Sequence, residues 1–139
     1  ERKFFILTSL ANKEFSIQFL HREDSETKTG DKKISIQRTE PIVEKNQNTN
    51  VVLVDEAKIE FPLVVRRWKA GDYFYPFGMG MKKKKLKKFL TDIKIPVHEK
   101  EDVWIIESNK RIVWVVGYRL DERFKIATGT TTALRIKCS

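Results

Sequence analysis

Apolar residues fall along this chain in two rhythms. Most recur with period two or in short blocks, as strands do. Phe15, Ile17 and Phe19 alternate with Ser16 and Gln18, and Ile34 and Ile36 repeat the pattern. Phe4 to Leu7, Val51 to Val54, Leu63 to Trp68 and Ala133 to Cys138 are apolar blocks of strand length. Val103 to Glu107 and Arg111 to Tyr118 flank Ser108-Asn109-Lys110 and predict a hairpin. Only Leu86, Phe89, Leu90 and Ile93 follow the i, i+3, i+4, i+7 spacing of a helix stripe, and Pro96 lies just beyond as a stop. Asp55 to Lys58 predicts a brief helical turn. The expected class is α+β: a mostly antiparallel or mixed sheet with one short lysine-rich amphipathic helix packed on it.

The polar stretches divide the chain. His21 to Lys33 is polar, with Gly30-Asp31 as a turn, and Glu44 to Asn50 is an Asn- and Gln-rich loop. The expected organisation is a lead-in β segment and linker over 1–50 and a main domain over 51–139. No repeat interrupts this order. The 139 residues begin at Glu1 without an initiator Met, which reads as a piece of a longer protein.

Charge sharpens the picture more than composition does. The net charge is +9, but residues 61–100 hold eleven Lys and Arg against three Asp and Glu. Six of the seven residues from 82 to 88 are lysines. At helical spacing, Lys84 and Lys88 project away from the apolar stripe, with Lys85 and Lys87 flanking it. Lysines in a first helical turn oppose the helix dipole by a few tenths of a kcal/mol each, on the order of 0.3 or more. A local rule broken without structural return points to function. The natural partner is a polyanion, and nucleic-acid phosphate fits best. The single cysteine, Cys138, closes no intrachain disulfide and fits a cytoplasmic setting. No apolar run is long enough to cross a bilayer.

Other candidates are narrower. Arg66 and Arg67 share a strand and so point to opposite faces; one is expected to face solvent and the other to meet a carboxylate such as Asp72. Gly78 and Gly80, placed before the lysine helix, would let backbone approach a phosphate oxygen, although a plain turn explains them more simply. Among the aromatics, Trp104 and Trp114 belong to the core, while Tyr73 and Tyr75 stay open to base contact. His21 and His98 lack metal-ligand company, so no metal site is expected. No nucleophile–base order, CxxC or GxGxxG occurs, and the chain holds no self-contained active site.

Phe61 to Arg66, Gly71-Asp72, Pro76, Gly78-Met79, Lys84 to Phe89, Lys94-Ile95-Pro96 and Ile112 to Lys125, taken in order and spacing, closely resemble the C-terminal domain of bacterial tRNA(Ile)-lysidine synthetases. The resemblance runs from about Val51 to Ile136; residues 1–50 match only loosely. It departs after Ile95-Pro96, where Lys100 to Trp104 replaces the family's Arg-Asp-Pro. The resemblance implies a parent ligase that uses ATP, with Mg, to adenylate the wobble cytidine of a minor isoleucine tRNA (CAU anticodon) and then attaches lysine. It places that chemistry in an N-terminal catalytic domain of the same chain, whose Ser-Gly-Gly-x-Asp-Ser loop these residues do not contain. This domain would be inactive alone and bind tRNA, at the acceptor stem, through a basic face. Residues expected there are Arg66, Arg67, Lys82, Lys83, Lys84, Lys85, Lys87, Lys88, Arg119 and Arg123, with no cofactor in this part. The rival readings are a generic RNA- or DNA-binding module of another modification enzyme and an anionic-membrane-surface module; no membrane partner is expected.

Overall fold

A computed structural model describes residues 17–23, 25–42 and 49–139. The expected strand at Phe4 to Leu7, the Phe15 end of the alternating segment and most of the Asn- and Gln-rich loop lie outside the described residues.

Two antiparallel sheets form the body. The first comprises β1 (Ile17–Leu20), β5 (Leu63–Arg67), β8 (Trp104–Ser108), β9 (Arg111–Val115) and β10 (Arg119–Leu120), in that spatial order. The second orders β2 (Glu26–Thr29), β3 (Lys32–Thr39), β11 (Ala133–Cys138) and β4 (Val51–Asp55). Each sheet takes strands from both sides of the 44–50 loop: β1 pairs with β5, and β3 with β11. Strand β2 lies hidden in the polar stretch because its residues, Glu-Thr-Lys-Thr, offer no apolar alternation, and only Thr29 is buried. The Asp55 to Lys58 turn is a 3₁₀ turn at Glu56–Lys58, capped by the Asp55 carboxylate accepting from Ala57 N at 3.0 Å.

The first sheet is the middle layer, with apolar side chains on both faces. Leu63, Val65, Trp104, Ile106 and Trp114 meet Ile34, Ile36, Val54, Leu134 and Ile136 of the second sheet. On the opposite face Ile105, Ile112 and Val115 meet Phe74, Leu86, Phe89, Leu90 and Ile95. Those last five belong to a small ribbon, β6 (Tyr73–Phe74) with β7 (Lys84–Lys85), to helix α1 (Leu86–Asp92) and to the residues just after it. Both-sided burial explains why β8 and β9 read as apolar blocks without clean alternation. Asn109 and Lys110 turn their hairpin with φ of 47° and 66°, the left-handed pair that a two-residue turn between twisted strands requires.

Three expectations change. The helix starts at Leu86, because Lys84 and Lys85 pair as a strand with Phe74 and Tyr73. That pairing keeps Lys82, Lys83 and Lys84 off the positive helix end, which would repel them, and leaves Lys85 at the N-cap. Second, Ile93 is 37% exposed and Ile95 only 8%. The helix ends in a Schellman motif: Lys94, at φ 61°, donates to Thr91 O at 3.0 Å, and Ile95 N donates to Leu90 O at 3.2 Å. The left-handed residue swings Ile95 back onto the helix, so it completes the stripe in place of Ile93. Third, Pro96 not only stops α1 but opens a further one-turn helix, α2 (Val97–Lys100), beyond the single helix expected.

Candidate nucleic-acid interface

The lysine run sits on a braced scaffold. Leu86 N donates to Asp72 O at 2.9 Å, fixing the first turn of α1 to the Gly71-Asp72 turn. Leu86, Phe89 and Leu90 are buried, and Phe89 meets Phe74 edge-on with ring centroids 5.0 Å apart. With the inner face anchored, Lys87 and Lys88 project outward. Lys82, Lys83 and Lys85 are exposed as well, on the turn and strand before the helix.

Lys84 differs from its neighbours. Its side chain is 19% exposed and its Nζ lies 2.6 Å from Asp92 Oδ2; Lys88 Nζ lies 3.7 Å from the other oxygen. The hydrogen bond and charge of Lys84 outweigh a small burial effect and hold the Asp92 carboxyl below the usual carboxylate range. The expected outward projection of Lys84 therefore fails, since it belongs to a strand and not to the helix. Among the described residues, Lys82, Lys83, Lys85 and Lys87 have no acidic side chain within ion-pair distance.

The arginines are more constrained. Arg66 donates to both oxygens of Asp72 at 3.0 Å and approaches Glu107 at 3.2 and 3.4 Å. Burial pulls its guanidinium toward deprotonation, but the two carboxylates more than offset this and its pKa lies above the ordinary value. Asp72 also accepts from Lys69 N at 2.8 Å, so the Arg66 cluster pins the turn that carries α1. Arg67, on the other face as expected, reaches Asp102 at 3.2 Å and lies over the Trp104 ring at 4.7 Å. Neither arginine simply faces solvent.

Arg119 and Arg123 reach the same region by a fold-back that the sequence did not announce. The expected strand from Arg111 to Tyr118 breaks after Val115; Gly117, at φ 81°, lets Tyr118 N donate to Val115 O, and β10 returns along β9. Phe77 N then donates to Leu120 O, and Arg119 donates to Phe77 O at 3.2 Å. Fully buried Asp121 accepts from Tyr75 N, from Arg123 N and twice from the Arg123 guanidinium. Asp121, Lys110 and Lys125 are not singled out by sequence pattern, although an Asp directly before a Glu-Arg turn is a recognisable cap.

Gly78 and Gly80 have φ of 85° and 63°, with open space where a Cβ would stand. They belong to the turn that returns the chain from the aromatic segment to β7, and five residues separate Gly80 from α1, so the expected approach at a helix N-terminus is not formed. Trp104 and Trp114 are core residues as expected. His21 stacks near Phe19, His98 is exposed, and no metal-ligand group occurs among the described residues. Cys138 is a buried strand residue, and burial pushes its thiol pKa up. Among the described residues, no helix is long and apolar enough to cross a membrane.

Comparison with known proteins agrees with this picture. A 92-residue stretch is 45% identical to a tRNA(Ile)-lysidine synthase of Parabacteroides distasonis, covering 66% of this chain and 20% of that protein. Another of Caldanaerobacter subterraneus is 40% identical over 92 residues, again 66% and 20% of the two chains. The chain thus spans about a fifth of the length of these curated relatives. A crystal structure of a TilS C-terminal domain superposes with a TM-score of 0.75 at 23% identity, covering 88% of this chain and 96% of that one, which establishes the shared fold. Residues 63–138, more than half the chain, match the family described as TilS substrate C-terminal domain, and the chain belongs to that family.

Proposed function

We propose that this chain is the tRNA-binding domain of a tRNA(Ile)-lysidine synthase and that it grips tRNA phosphates with the surface formed by Lys82, Lys83, Lys85, Lys87 and Lys88. One observation carries the reading: of these five exposed lysines only Lys88 comes near a carboxylate among the described residues, Asp92 at 3.7 Å, and the helix and strand that carry the row are themselves docked firmly. A mobile tail of lysines would lose more entropy on binding; a braced row is already in place. Arg119 extends the positive surface on the neighbouring fold-back, Arg123 presents there the face of a guanidinium whose charge Asp121 balances, and Arg66 serves the scaffold. The A-form stem hides its base edges in a deep groove, so contact with an acceptor stem runs through phosphates and 2′-hydroxyls.

The ligase chemistry belongs, in this reading, to an N-terminal catalytic domain of the parent chain, which consumes ATP with Mg and joins lysine to the wobble cytidine in the cytoplasm. The role of this domain is to hold the tRNA body so that the anticodon reaches that site. The apolar side of α1 is committed to the core through Leu86, Phe89 and Leu90, which leaves no stripe to insert into lipid and favours RNA over a membrane surface.

Binding of isoleucine tRNA bearing the CAU anticodon to the purified chain tests this directly. The expected result is saturable binding that weakens steeply with salt, no co-sedimentation with anionic vesicles, and no adenylate formed from ATP. Absence of tRNA binding at low salt, or vesicle binding in its place, overturns the reading.

A further inference from the structure

The structure assigns a second, chemically different surface beside the lysine row: we infer that the segment 73–77 is a stacking platform for unpaired nucleotides. The inference rests on the RNA-binding reading above and specifies which part of an RNA this face takes. Residues 73–76 are extended and Phe77 opens the turn that follows, and burial alternates along the five. Phe74 and Pro76 are buried, whereas Tyr73 is 44% and Phe77 41% exposed, with Tyr75 half-buried between them. Three aromatic rings therefore share one outward face of a single strand-like segment. The Tyr73 and Tyr75 ring centroids lie 6.5 Å apart with their planes at 76°, so the rings offer successive faces at different tilts. A flexible single strand can match this with successive bases, whereas a duplex, whose bases are already paired and stacked inside, cannot.

Each ring also carries a cation. Lys83 Nζ lies 3.9 Å from the Tyr73 centroid, the Arg123 guanidinium 4.4 Å from that of Tyr75, and Lys125 Nζ 6.0 Å from that of Phe77. Alternating π faces and positive charges are what a polyanion with exposed bases complements. Arg123 is the best organised member. Its fork is held in two hydrogen bonds by buried Asp121, one face lies on Tyr75, and it borders a small cleft shared with Tyr73, Lys110, Arg111 and the Arg66–Asp72–Glu107 cluster. A guanidinium plane fixed in this way is itself a stacking surface. The segment is stiff as well: its backbone is tied to the 120–122 fold-back through Tyr75 O, Phe77 N and the Asp121 carboxylate. Such pre-organisation is wasted on rings that merely cover the core, and the core beneath is already filled by Phe74 and Phe89.

The test compares a short mixed-sequence single-stranded RNA with the same sequence in a blunt duplex, each titrated against the whole chain at several salt concentrations. In Tyr73→Leu and Phe77→Leu, single-strand affinity should fall about tenfold per ring, with duplex affinity unchanged and the slope of log K against log salt preserved. Tyr73→Phe keeps the ring and should keep the affinity. Because both rings are exposed, thermal melting should confirm intact folding in all three variants. If wild type binds both RNAs but the Leu variants bind the single strand as well as wild type does, the platform is refuted and the lysine row stands. If wild type binds neither RNA, the underlying RNA-binding reading fails with it.

Discussion

The molecule holds positive charge in two settings that sequence alone renders alike. Arg66 and Arg123 are wrapped in carboxylates: Arg66 between Asp72 and Glu107, Arg123 against fully buried Asp121. The lysines at 82, 83, 85 and 87, by contrast, stand on the surface without an acidic partner among the described residues. A cation with its hydrogen bonds satisfied by buried carboxylates organises the fold and has few hydrogen bonds left for a phosphate, so what Arg123 can still offer a ligand is the flat face of its guanidinium. A cation surrounded by water and like charges gains by meeting a phosphate, because condensed counterions leave as it does so. The difference therefore separates scaffold from the proposed interface, and Lys84 marks the border: it sits inside the run yet pairs with Asp92.

The contrast breaks most visibly if the scaffold is damaged. Phe89→Ala should destabilise the fold by about 3–5 kcal/mol by opening a cavity beneath α1. A domain of this size has a total stability of only about 5–15 kcal/mol, so denaturant or thermal unfolding will register the loss clearly. An unchanged melting temperature together with weakened RNA affinity would show that the stripe faces the ligand.

Arg66→Ala comes next, at about 2–4 kcal/mol, since it leaves two largely buried carboxylates facing each other without their cation. A triple variant, Arg66→Met with Asp72→Asn and Glu107→Gln, should recover much of this in chemical unfolding. If Arg66→Ala melts like wild type, the cluster is not part of the scaffold.

Lys84→Ala probes the border, with only a small stability change expected because Asp92 is exposed and its pairing is screened by solvent. Its clearer sign is at Asp92, whose carboxyl titrates low because of Lys84. A depressed carboxylate pKa contributes stability above its unfolded value, and that contribution fades as pH falls through the folded value. NMR titration should find the Asp92 pKa rising in Lys84→Ala. Lys87→Ala should leave it in place.

Much of the fold was legible because burial imprints itself on sequence. The strand ending at Cys138, the hairpin turned at Asn109-Lys110 and the buried face of α1 each follow from apolar spacing or turn chemistry. The errors arose where backbone pairing overrode side-chain pattern. Lys84 and Lys85 are good helix formers by propensity, but they extend to meet Tyr73 and Phe74. Ile93 has the correct helical spacing, yet the left-handed Lys94 gives its place to Ile95. At the site, charge was visible and partnership was not. Glu107 lies far from Arg66 in sequence and becomes its neighbour only through the β5–β8 pairing. The link from Asp121 to Tyr75 likewise depends on a fold-back at Gly117 that a single glycine did not announce.

The salt dependence of tRNA binding tests the division between scaffold and interface most directly. Replacing Lys82, Lys85, Lys87 and Lys88 together by Gln should leave unfolding within about 0.5 kcal/mol of wild type, because none of the four side chains is buried. The same variant should flatten the slope of log K against log salt by about 3 units, at roughly 0.7 to 0.9 for each phosphate no longer neutralised. A well-folded quadruple variant whose slope equals that of wild type would contradict the account, and the lysine row would then be a solvated face and nothing more.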